Sequence, residues 1–141
     1  MSRTIVVGVD GSGCSDCAVE RAVELAKGLG DTLLIAYATE PPNRSVGDEL
    51  GEAKKALEEL GRPLVDSGVA RATEAGVEAE AILLPKRPAD ALVALAAESD
   101  ARMIVVGSAS ERPLTGVILG SVPHKLLHRS PVPVLVVPMP D

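Results

Sequence analysis

The apolar positions of this chain alternate between two rhythms. Thr4 to Val9 is a β-branched run that reads as a buried strand. From Ser15 to Leu29, Ala18, Ala22, Leu25, Ala26 and Leu29 share one helical face, while Glu20, Arg21, Glu24 and Lys27 point elsewhere. Gly30-Asp31 marks the stop, and Thr32 to Ala38 is a second strand. Glu40 to Gly47, with Pro41, Pro42 and Asn43, reads as a loop. Asp48 to Ala75 returns to helical spacing at Leu50, Ala53, Leu57, Leu60 and Leu64. Gly61 and Pro63 interrupt it, and a proline that removes a backbone bond predicts a kink or a split there. Val77 to Leu84 alternates as a strand exposed on one face, and Pro88 to Glu98 is a helix with proline in its first turn. Arg102 to Gly107 is a fourth strand, Ser121 to Arg129 a last helix and Val132 to Val137 a last strand.

This β-α-β-α-β-α-β-α-β order predicts a parallel sheet with helices on both faces. Its 141 residues suit a single domain, residues 1–141. In such folds ligands bind outside the carboxyl ends of the strands, where strand order reverses. The pattern does not fix the strand order.

One stretch carries the leading chemistry. The fourth strand stops at Gly107; a loop then leads to Gly120-Ser121 and a helix start. Ser121 suits an N-cap, and Pro123 suits the first turn. A strand, a glycine-bearing loop and an open helix N-terminus form an anion cradle, which points to a phosphate-bearing ligand.

Composition narrows the classes. The chain has no Trp or Phe, Tyr37 is its one aromatic residue, and its net charge is −6. An acidic chain without stacking platforms is a poor nucleic-acid binder. No run of 18 apolar residues suggests a membrane span, and Met-Ser-Arg-Thr has no signal-peptide layout, so a cytoplasmic protein is expected.

Val7-Gly8-Val9-Asp10-Gly11-Ser12, followed by Ser15 and Ala18, resembles the opening of the universal stress protein family. Gly107, Gly120 and Ser121 match the spacing of that family's nucleotide signature, with Ser110 where its second glycine would stand. Pro131 to Pro138 resembles the family's closing strand, so the resemblance spans essentially the whole chain. It implies a Rossmann-like open parallel sheet of five strands in the order 3-2-1-4-5. It also implies a homodimer and, in part of the family, binding of ATP. Carried over by position, the binding set is Gly8, Asp10, Gly11, Ser12, Ala38, Gly107, Ala109, Ser110, Gly120, Ser121 and Val122. Asp10 and Ala38 would lie near base and ribose, and Gly107 with the residues after it near ribose and phosphates. Asp10 is equally suited to forming a turn through nearby backbone N–H groups.

The expected activity is therefore regulatory. The chain would bind ATP or a related adenine nucleotide, with or without Mg2+, between the first and fourth strands, and act through its dimer state or a partner. The apolar Val132 to Val137 is the expected dimer edge. Ser110 tolerates a left-handed turn less well than glycine, which weakens binding, and an open helix N-terminus beside a weakly charged loop predicts micromolar affinity. Two alternatives stand beside this reading: a nucleotide-free interaction protein of the same fold, and a weak ATPase or redox protein. No G-x-S-x-G elbow, H-E-x-x-H or full Walker loop is visible.

Cys14-Ser15-Asp16-Cys17 is a C-x-x-C at a helix start, a placement found in disulfide oxidoreductases, but the surroundings do not resemble thioredoxin. Two small helix-start residues is the plainer reading. His124 and His128 share a helical face, and with the cysteines would formally make a zinc set; no metal site is expected. Lys86 and Arg87 add positive charge at the same sheet edge, with water as their default partner.

Overall fold

The structure is a computed structural model that describes residues 2–40, 48–108 and 120–139. The loop expected at 40–47 therefore lies almost wholly outside the described residues. Nine elements alternate as read: β1 (Thr4–Gly8), α1 (Gly13–Leu29), β2 (Thr32–Ala38), α2 (Asp48–Glu74), β3 (Ala79–Leu84), α3 (Pro88–Glu98), β4 (Ala101–Gly107), α4 (Ser121–Arg129) and β5 (Val134–Val137). All strands pair in parallel, in the order β3-β2-β1-β4-β5.

Strand alternation divides the core into two layers. Ile5, Val7, Leu33, Ile35 and Val105 face one way, against Ala18, Ala22 and Ala26 of α1 and Val65 and Ala72 of α2. Val6, Leu34, Ala36, Ile104 and Val106 face the other way, against Ala89, Leu92, Leu95 and Ala96 of α3 and Leu126 of α4. With almost no aromatic residue available, small alanines let the helices lie close to an aliphatic sheet, where packing density rather than bulk supplies the contacts.

Several expectations need correction. α2 is one unsplit helix with Pro63 inside it. Pro63 is exposed, so the carbonyl that its missing N–H leaves unbonded can turn to water. Gly61, read as a breaker, is buried for a packing reason: a Cβ there would collide with the ring of Tyr37. Gly68, two turns on, makes the same room for Ile35. β3 is covered on both sides, with only Glu80 fully exposed, because α2 packs on one face and the α3 layer reaches the other. Ser12 caps α1, which therefore starts at Gly13, and Ser12 Oγ accepts from Ser15 N at 3.2 Å.

Gly30 ends α1 in the left-handed conformation, at φ 73°. The next residue holds the amino-terminal edge of the sheet together. Asp31 is buried and accepts from Arg102 Nε at 2.6 Å, Arg102 Nη2 at 3.2 Å and Arg3 N at 3.0 Å. Among the described residues no helix is long and apolar enough to cross a membrane.

Candidate functional site

β1 and β4 are adjacent and their outward connections leave to opposite sides, so the chain opens a crevice beyond Gly8 and Gly107. A cavity of about 340 Å³ occupies it, within the usual range for small-molecule sites. Two turns and an apolar side build its rim. After β1, Asp10 Oδ1 accepts from Ser12 N at 2.9 Å, and Asp10 N donates to Ser15 Oγ at 3.1 Å. These bonds, with the Ser12 cap, lock the passage into α1. Asp10 thus fills its turn-forming role while also standing on the cavity wall.

The start of α4 forms the second rim. Its N-cap is Gly120 rather than Ser121, in extended backbone and without a side-chain cap bond. Gly120 N donates to Ser108 O at 2.7 Å, and Gly120 O accepts from His124 N at 3.1 Å. Ser121 and Val122 occupy the first turn, where backbone N–H groups have no intrahelical acceptor. Pro123 has no N–H to satisfy. Those first-turn groups and the positive helix end face a cavity that Gly120, Ser121 and Val122 line.

The third side is apolar. Tyr37, Ala38 and Leu57 line it from β2 and α2, and Ala91 and Leu92 from α3. Burial, and then the negative charge of Asp10, hold the Tyr37 phenol above its ordinary pKa, so it stays a neutral donor at physiological pH. Asp10 and Glu40 are the carboxylates of the wall, and no Lys or Arg lines it among the described residues.

Gly8, Asp10, Ser12, Ala38, Gly107, Gly120, Ser121 and Val122 are thus brought around one cavity. Gly11 is not on its wall. It sits at φ +88°, where a side chain would be strained, and a Cβ would press on Leu64. Ala109 and Ser110 lie outside the described residues. Gly107 also has a packing role, since a Cβ there would meet Cys14. Sequence reading missed Tyr37, Leu57, Ala91 and Leu92. Tyr37 adjoins Ala38 at a strand end and was findable; the other three depend on how helices lie on the sheet. Among the described residues no three His, Cys, Asp or Glu side chains are placed to hold a metal, and His124 and His128 stack edge-on at 5.3 Å instead.

A model of the universal stress protein family matches residues 1–138. The chain belongs to the universal stress protein family. It is 35% identical over 140 residues to a universal stress protein of Mycobacterium tuberculosis, covering 96% of this chain and 95% of that one. A solved universal stress protein in complex with cAMP is 33% identical, with a TM-score of 0.75 over 99% of this chain and 98% of its own. One from Archaeoglobus fulgidus in complex with dAMP is 26% identical, with a TM-score of 0.69 over 96% of this chain and 97% of its own. In this universal stress protein the crevice beyond β1 and β4 is therefore the feature to explain.

Proposed function

We propose that this universal stress protein binds an adenine nucleotide, ATP or a close relative, in the β1/β4 crevice and acts through its dimer state or a partner. The observation that carries the reading is the cavity itself. An apolar slot bounded by Tyr37, Ala38 and Leu57 leads to the uncapped first turn of α4, which is the division of labour a base and a phosphate require. The cAMP and dAMP complexes of related proteins support an adenine ligand. Asp10 would accept from a ribose hydroxyl through Oδ2, since Oδ1 is held by Ser12 N.

Phosphate charge meets Asp10 and Glu40 on the wall, which no Lys or Arg lines among the described residues. Mg2+ carried on the phosphates would lower that repulsion, and it needs few protein ligands because it keeps its waters. We place the protein in the cytoplasm, where Cys14 and Cys17 rest as free thiols.

Calorimetric titration with ATP, with and without Mg2+, and with AMP and cAMP, tests the reading. Micromolar dissociation is expected, tighter for ATP when Mg2+ is present. No heat and no thermal shift at millimolar nucleotide would leave a nucleotide-free interaction protein instead.

A further inference from the structure

Cys14 and Cys17 lie in the first turns of α1 as free thiols, and neither lines the cavity. Cys14 is buried at 7% exposure and Cys17 is half-buried. Cys14 is wedged beneath the end of β4: a Cβ on Gly107 would lie 2.6 Å from Cys14 Cβ and 2.7 Å from its carbonyl carbon. Cys14 Sγ stands 3.8 Å from Ser108 Oγ. Ser108 is a strut of the site. Its N–H donates to Val137 O at 2.9 Å, and its carbonyl accepts from Gly120 N at 2.7 Å. Gly120 is the N-cap of α4. One thiol therefore touches the residue that ties the α4 N-terminus to the sheet.

We propose that Cys14 and Cys17 form a reversible dithiol–disulfide site whose closure loosens that tie. Helical residues three apart hold their Cβ atoms about 5–6 Å apart, and a disulfide needs about 3.5–4.5 Å. Closing the bridge must draw the two Cβ atoms together, and any movement of Cys14 disturbs its contacts with Ser108 and Gly107. The contact of the Cys14 backbone with Gly107 passes this movement to the end of β4.

The reactant is a low-molecular-weight disulfide such as glutathione disulfide. Cys17, the more exposed thiol, loses its proton and attacks one sulfur, releasing one glutathione thiol as a mixed disulfide forms. Cys14 then loses its proton and attacks Cys17 Sγ, releasing the second. Two cysteine thiols are oxidised, one disulfide is reduced, and two protons pass to the departing thiols. The effect on ligand affinity rests on the nucleotide reading; the thiol chemistry and its effect on Gly120 do not.

The full chain, reduced or treated with glutathione disulfide and freed of reagent, is compared by intact mass, amide hydrogen exchange and ATP calorimetry. Loss of two hydrogens, reversed by dithiothreitol, is expected. The Gly120 amide should exchange faster, and ATP affinity should fall about tenfold, a usual size for coupling between sites. Cys17→Ser, under the same treatment, should keep the reduced protein's exchange and affinity. The proposal is overturned if no intramolecular bridge forms, if a bridge leaves Gly120 exchange unchanged, or if Cys17→Ser responds like the parent. A reduced chain that binds no ATP sinks the nucleotide reading alone, because Gly120 exchange still decides this one.

Discussion

At the residue scale, an ion pair far from any motif ties the amino-terminal edge of the sheet. Asp31 and Arg102 are 71 positions apart, and the Asp31 side chain is fully buried. Hydrogen bonding to Arg102 holds the Asp31 carboxyl below its ordinary value, against the opposing push of burial, and the Arg3 N–H helps. The folded carboxyl therefore gives up its proton more readily than the unfolded one. Its stabilisation is complete above the unfolded value of about 3.9 and is lost as pH falls through the lower folded value. Asp31→Ala should cost about 3 kcal/mol at neutral pH by denaturant titration, since it strands a part-buried guanidinium. The variant's stability should also fall less steeply than the parent's on acidification. Equal denaturation midpoints for variant and parent at neutral pH would remove Asp31 from this role. Gly61 is the second case. Gly61→Ala gains about 1 kcal/mol of helix propensity but meets the near atoms of the Tyr37 ring, which cannot swing aside as a flexible chain end would. Overpacking of this kind costs about 1–3 kcal/mol, so a lower melting temperature and an altered tyrosine near-ultraviolet signal are expected. A higher melting temperature would show that the ring moves freely.

At the element scale, helix ends and interruptions decide the behaviour. Pro63 sits inside α2 and is exposed, so it removes a helical hydrogen bond without serving the core. Pro63→Ala should stabilise the chain by about 1–3 kcal/mol; a loss in thermal melting would mean that the proline's local geometry is needed for packing. The N-terminus of α4 offers a sharper separation. Gly120 provides no side-chain cap. In Gly120→Asp the carboxylate can cap the first turn and oppose the dipole, adding a few tenths of a kcal/mol to stability. The same charge would face a bound phosphate, so ATP affinity should fall about tenfold, the equivalent of about 1.4 kcal/mol. Stability and affinity moving in the same direction would place the phosphate elsewhere.

At the scale of the whole molecule, β5 is an edge strand, and Leu135 in its middle is 36% exposed. A parallel sheet that ends on an apolar edge invites a second copy, and a twofold axis would pair the two β5 strands antiparallel. We expect sedimentation at tens of micromolar, an order-of-magnitude choice for a weak dimer, to show a dimer that Leu135→Lys converts to monomer with its melting cooperativity intact. A monomeric parent would refute the pairing.

The sequence by itself determined the alternation of strands and helices, the stop at Gly30 and the glycine that ends β4. These are local: periods of two and near four, and residues without a Cβ, state what each segment needs whatever its neighbours are. The same periods left open whether Gly61 broke a helix or admitted Tyr37, and which strand lay beside which; the family resemblance, not the pattern, implied the order. Tertiary structure decided the strand neighbours, the ion pair of Asp31 with Arg102, and the apolar cavity side made by Tyr37, Leu57, Ala91 and Leu92. Those depend on where each helix settles on the sheet, and many apolar faces of similar composition compete for that position until the whole core packs at once.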